Sequence, residues 1–181
     1  MVPDAGAAEP LILTLQMDRR SQERFDSLRE LHFPPERNHL RAHLTLFHKL
    51  PGEREAEISA DLREICHDCE PLTMTATNLL FLGRGVAYQL SSPELAALRR
   101  VLATRWEPWL GAQDRQGFRP HVTVQNKVSP ERARALREEL LAAFSPFKVG
   151  GVGLSLWRYL GGPWEPVGTH PFGKRAEEGG A

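Results

Sequence analysis

Two stretches of this chain repeat each other: Arg41-Ala-His43-Leu-Thr45-Leu-Phe47 and Arg119-Pro-His121-Val-Thr123-Val both read Arg-x-His-x-Thr-x. Successive side chains of an extended strand point to opposite faces, so His43 and Thr45 share one face while Leu44 and Leu46 share the other. His121 and Thr123 stand against Val122 and Val124 in the same way. The aliphatic pair suits a core, and the imidazole and hydroxyl then lie side by side on an accessible surface. From composition, a His-apolar-Thr-apolar tetrad arises by accident about 0.05 times in a chain of this size. One copy is therefore a weak signal, and ordinary half-buried strands with hydrogen-bonded histidines are the plain alternative. The doubling is what constrains the chain. It asks for two matching strands whose polar faces, brought together, make an active site.

The surrounding sequence repeats as well. Leu11 to Met17 reads as a short apolar strand. Asp18 to Leu31 reads as a helix with Phe25, Leu28 and Leu31 as its apolar stripe, stopped by Pro34-Pro35. A loop from Pro34 to Leu40 leads into the first tetrad strand, which Pro51-Gly52 ends. Glu53 to Cys69 is helical, with Ile58, Leu62, Ile65 and Cys69 on one face. Leu72 to Leu82 and Val86 to Leu90 then pair about Gly83-Arg-Gly85. Ser92-Pro93-Glu94 has the cap-then-proline signature of a helix start, leading to Leu95, Leu98, Leu102 and Trp106. A polar loop, Ala112 to Phe118, delivers the second tetrad strand. Ser129-Pro130-Glu131 opens another helix, with Leu136, Leu140 and Phe144 inward. Phe147 to Leu160 and Trp164 to Thr169 close the chain as a hairpin about Gly161-Gly162-Pro163.

Each half thus carries a His-Thr strand, a helix and a hairpin, an echo of about eighty residues. The expected fold class is α+β, a single bilobal domain over residues 11–172. Its two pseudo-symmetric lobes have small antiparallel sheets flanking a central cleft, with helices outside. Residues 1–10 and 173–181 are expected to be disordered ends.

Lys plus Arg and Asp plus Glu both number 23, so the chain lacks the global positive field that holds long duplex nucleic acid. Any nucleic acid is expected to be engaged at an end or as a short piece. No apolar run approaches a membrane span, and the first ten residues lack the basic and apolar regions of a secretion signal. A soluble cytoplasmic protein is expected, monomeric, with no membrane contact and no obligatory protein partner. Cys66 and Cys69 are the only cysteines. A zinc site needs about four ligands and no second pair accompanies them, so they read as helix-end cysteines and no metal is expected.

The doubled tetrad resembles the two His-x-Thr-x motifs for which the 2H phosphoesterase superfamily is named. The likeness is nearest to its bacterial RNA 2′,3′-cyclic phosphodiesterase branch, also called 2′-5′ RNA ligase. Further landmarks similar to the family are Pro34-Pro35-Glu36, Leu50-Pro-Gly52, Phe118-Arg-Pro-His121, Leu154-Ser-Leu-Trp157 and Trp164-Glu-Pro-Val167. The resemblance covers most of residues 11–172. It implies a bilobal fold with a central cleft, phosphodiester chemistry without a metal or other cofactor, and catalytic roles for His43, Thr45, His121 and Thr123. The chain departs from it at Gln125-Asn126-Lys127, where an arginine is expected soon after the tetrad.

Opening a cyclic phosphate needs a base to activate water and an acid to protonate the departing ribose oxygen. Histidine titrates near pH 6.5, so a pair can hold one neutral and one protonated imidazole. Thr45 and Thr123 would donate to the non-bridging phosphate oxygens as negative charge builds. Which histidine is base depends on which ribose oxygen leaves, and both assignments stay open.

By the same alternation Arg41, Arg119, Phe47 and Gln125 fall on the faces of their histidines. They are expected to contact substrate, an arginine pairing with phosphate and Phe47 stacking on a base. Their other reading is strand-entry solvation and rim packing. Trp157 and Tyr159, opposite Leu154 and Leu156, either wall a nucleobase pocket or join the core. His48 has the wrong parity for catalysis, and His39 is a loop residue.

The expected function is a metal-independent phosphodiesterase. It would open 2′,3′-cyclic phosphates of RNA ends, short oligonucleotides or cyclic nucleotides, or cleave 2′-5′ linkages. The alternative is a non-catalytic nucleotide or RNA-end binding module on the same fold. A metal hydrolase built on His39, His43, His48 and the cysteines fits no single helix or strand face.

Overall fold

Strand β1 (Leu11–Met17) is buried at nearly every position because it has a neighbour on each side, β2 (Leu44–Leu50) and β6 (Phe147–Tyr159). The structure is a computed structural model and describes residues 7–173. The remaining elements are α1 (Arg19–His32), α2 (Glu55–Asp68), β3 (Leu72–Phe81), β4 (Val86–Ser91), α3 (Pro93–Arg105), α4 (Ala112–Arg115), β5 (His121–Gln125), α5 (Pro130–Ala142) and β7 (Trp164–Pro171). Most of the ends expected to be disordered, residues 1–6 and 174–181, lie outside the described residues. Of the rest, the Pro10 carbonyl accepts from Tyr159 N–H at 2.9 Å, and Gly173 N–H donates to the Cys66 carbonyl at 3.1 Å.

The helix starts follow the local chemistry. Asp18 Oδ1 accepts from Ser21 N–H at 2.8 Å, and Ser92 and Ser129 cap α3 and α5 with Pro93 and Pro130 just inside. The stripe expected on α1 needs correction, because Leu31 is 75% exposed while Ser21, Phe25 and Arg29 are buried. At about 100° per residue Arg29 lies one turn from Phe25 on the same face, whereas Leu31 lies about 120° around the helix. On α2 the inward row is Ile58, Leu62 and Cys66, with Ile65 and Cys69 at its margin. The loop expected over 112–118 contains α4, whose Asp114 is buried.

The fold is α+β with antiparallel pairing throughout, as the sequence implies, and the strands of both halves belong to one seven-stranded sheet. Its order is β2-β1-β6-β3-β4-β5, with β7 pairing β6 off this path. Exchanging the halves leaves this order unchanged: β2 matches β5, β1 matches β4 and β6 matches β3. The two small sheets expected from the sequence are therefore continuous through the β3–β6 ladder. Both tetrad strands are edges of this path, yet β2 and β5 contact each other, so the sheet curls until its edges meet. Among the described residues no helix is long and apolar enough to cross a membrane.

Candidate active site

The two tetrad histidines are held identically. His43 Nδ1 lies 2.8 Å from the Arg41 carbonyl, and His121 Nδ1 lies 2.8 Å from the Arg119 carbonyl. A carbonyl only accepts, so Nδ1 carries the proton in both rings and Nε2 is left as the nitrogen for proton transfer. This gives the repeated Arg-x-His spacing a backbone meaning. The Arg41 side chain is paired to Asp26 on α1, at 3.0 Å through Nε and 2.7 Å through Nη2, and Arg119 is exposed.

Both strands then carry an extra residue just past the threonine. In the β1–β2 ladder Thr14 faces Thr45 but Leu13 faces Phe47, skipping Leu46. In the β4–β5 ladder Ala87 faces Thr123 but Val86 faces Gln125, skipping Val124. Such a bulge resets the alternation, which corrects two expectations. Phe47 is 0% exposed and packs edge-on against Trp106 at 5.3 Å, so it cannot stack on a base. Gln125 is 4% exposed and leaves the face of His121.

The backbone carbonyls loosened by the bulges are taken by buried arginines from the opposite half. Arg99 on α3 donates to the Leu46 carbonyl at 3.0 Å, and Arg29 on α1 donates to the Thr123 carbonyl at 3.1 Å. Arg99 also donates to the Asp114 carbonyl at 2.6 Å. The Asp114 carboxylate accepts from the N–H groups of His48 and Lys49 at 2.8 and 2.9 Å, closing the end of β2. Burial alone would push that carboxyl up, but the bonds from the His48 ring and these two N–H groups prevail and hold it below the ordinary range. Sequence reading missed Arg29, Arg99 and Asp114. The signal available for the arginines was their place one turn beyond Phe25 and Leu95 on apolar helix faces.

A pocket of about 410 Å³ opens beside His43, lined among others by Thr14, Gln16, Arg41, Ser155, Trp157 and Trp164. The Trp164 ring lies 4.8 Å from the His43 ring and 6.1 Å from Trp157. Trp157 Nε1 donates to Thr14 Oγ1 at 2.9 Å, which fixes its indole. Tyr159, expected beside Trp157, is 38% exposed and lies outside this lining. Trp164 appeared in the sequence only as a landmark of the resemblance, since no local periodicity brings the last hairpin to the first tetrad.

Burial is the main cause that lowers the His43 pKa, with the positive charges of Arg29, His121 and His48 adding to it against the Arg41 carbonyl bond, which raises it. His43 is therefore neutral near pH 7, and His121 is close enough for its charge to be felt. Cys66 and Cys69 are free thiols, and burial pushes Cys66 up to about 12, with Cys69 adding to it. Among the described residues no group of three or more His, Cys, Asp or Glu side chains is disposed to hold a metal ion.

No curated protein matches the sequence. The family model described as the 2′-5′ RNA ligase superfamily matches residues 17–163. Solved structures are similar across nearly the whole chain. The crystal structure of E. coli LigT complexed with 3′-AMP has 18% identity and a TM-score of 0.59, covering 91% of this chain and 98% of that one. TT0787 of Thermus thermophilus has 14% identity and a TM-score of 0.66, covering 92% and 99%. A structure described as a phosphoesterase has 19% identity and a TM-score of 0.61, covering 92% and 99%. At these identities the likeness is one of fold.

Proposed function

Because this chain belongs to the 2′-5′ RNA ligase superfamily, we propose that it is a two-histidine phosphodiesterase that opens 2′,3′-cyclic phosphates of nucleotides or RNA ends without a metal. The family and fold are those of 2H phosphoesterases, which are enzymes. The observation that carries the reading is the matched anchoring of His43 and His121, which leaves two Nε2 atoms for proton transfer.

His43, held neutral, takes a proton from water as the water oxygen bonds to phosphorus. The bond from phosphorus to one ribose oxygen breaks, and His121 gives that oxygen a proton. Thr45 and Thr123 donate to the non-bridging oxygens, where charge accumulates. The nucleobase lies against Trp157 and Trp164, the aromatic wall nearest His43. Arg41 and Arg119 border the phosphate from the strand entries. Cleavage of a 2′-5′ linkage would use the same acid and base.

The test is incubation, in the presence of a chelator, with the four 2′,3′-cyclic nucleotides and a short RNA ending in a cyclic phosphate, resolving 2′- from 3′-phosphate products. Product from the wild type and none from His43→Ala or His121→Ala is expected. Full activity in either variant overturns the two-histidine mechanism. Nucleotide binding with no product from any substrate replaces the enzyme with a binding module.

A further inference from the structure

Each tetrad histidine has a glutamine as its cross-strand neighbour. His121 faces Gln89 in the β4–β5 ladder. The β1–β2 ladder runs through Thr14 opposite Thr45 and Leu15 opposite Leu44, which brings Gln16 to the equivalent place beside His43. Directly opposed residues of an antiparallel pair share a face, so each glutamine lies on the face of its imidazole. Leu13-Thr-Leu-Gln16 and Val86-Ala-Tyr-Gln89 are thus counterparts under the exchange of halves, a repeat that the tetrads alone do not reveal.

Only one of the two glutamines sits in an aromatic pocket. Gln16 lines the cavity shared by His43, Trp157 and Trp164, and its Oε1 is shut off from solvent without a hydrogen-bond partner among the described residues. Buried polar atoms are almost always bonded, so an orphan acceptor on a pocket wall marks where a ligand can place a donor. Across the β1–β6 ladder Gln16 faces Gly153. A Cβ on Gly153 would lie 2.8 Å from Oε1, so only a Cα–H fits there, and that C–H suits an oxygen better than an NH₂ group.

Building on the phosphodiesterase reading, we propose that Gln16 selects the base of the nucleotide held beside His43, its Oε1 accepting from the exocyclic amino group of cytosine or adenine in preference to uracil. Cytosine and uracil have the same size and stack alike, and they differ at position 4 by an amino group against a carbonyl. The amino group projects furthest from the ring and reaches the buried acceptor. The uracil carbonyl would set oxygen against oxygen. Uracil N3–H is flanked by two carbonyls, so it meets Oε1 only at the cost of the same repulsion. The freely placed Nε2 can donate to the neighbouring ring nitrogen of cytosine or adenine, completing a paired contact of the kind that discriminates bases.

The test compares kcat/KM for cyclic CMP and cyclic UMP with that for base-free ribose 2′,3′-cyclic phosphate, in wild type, Gln16→Leu, Gln16→Glu and Gln89→Leu. Wild type is expected to prefer cytosine by about tenfold, mostly in KM. Gln16→Leu brings cytosine down to the uracil level and leaves the base-free substrate unaffected. Gln16→Glu, which still accepts at the same place, keeps the cytosine preference. Gln89→Leu keeps the ratio. Equal use of cytosine and uracil by the wild type, or an unchanged ratio in Gln16→Leu, overturns the role of Gln16 while turnover of the base-free substrate upholds the enzyme. Calorimetric binding of 3′-CMP against 3′-UMP reads the same preference without turnover. Base preference with no catalysis then breaks the phosphodiesterase reading alone.

Discussion

Around His43 and around His121 the backbone does the same three things. A carbonyl two residues earlier fixes the ring, a bulge follows the threonine, and a buried arginine from the other half takes a carbonyl at that bulge. The surroundings differ. His43 stands 4.8 Å from Trp164 at a pocket of about 410 Å³, where burial and three positive neighbours lower its pKa. His121 has instead a polar row, Gln89 and then Asn78, across the adjoining strands. The source of the difference is β7, the one strand without a counterpart when the halves are exchanged. It pairs only β6 and carries Trp164 to the first tetrad. Duplication thus supplies two proton-transfer groups, and the unmatched strand supplies a place to hold a base on one side only.

The largest test of the shared part is removal of either imidazole. His43→Ala and His121→Ala are each expected to lower kcat by about 10²–10⁴-fold. The double variant should be little worse than either single one, because one proton transfer cannot proceed productively without the other. Next comes the buried clamp. Arg99→Met strands the Leu46 and Asp114 carbonyls, and urea unfolding should show a loss of about 2–3 kcal/mol. Arg29→Met should cost less, since it loses one backbone bond and one bond to Asn38.

The unmatched strand is tested by Trp164→Ala. About a tenfold rise in KM for cyclic nucleotides is expected, with base-free ribose cyclic phosphate unaffected. A smaller effect separates the two arginines. His43 must be neutral to act as base and its pKa is lowered, so the acid limb of kcat/KM should fall below pH 6.5, activity being lost as pH drops through that limb. Arg29 is one cause of the lowering, after burial, and Arg99 is not. Arg29→Met should therefore move the limb upward by a fraction of a pH unit while Arg99→Met leaves it in place. Equal movement in both would erase the electrical difference between the halves.

What the sequence by itself determined is local. The period-two tetrads gave the strands and their core-facing pairs Leu44, Leu46, Val122 and Val124, all buried. The serine caps with following prolines gave the starts of α3 and α5, because a cap is a contact within four residues. The repeat of about eighty residues gave the pseudo-symmetry. Phe47 and Gln125 could not be placed, since a bulge shows itself only against the partner strand's register. Asp114 closes β2 from 65 and 66 residues away, and Trp164 reaches His43 only through the order of the sheet. The unlike charge environments of the two histidines come from which helices and hairpins fold over them. Alternation and capping are properties of neighbours along the chain. Register, burial and electrostatic shift are properties of neighbours in space, so the tertiary structure decided which of two like histidines is the base.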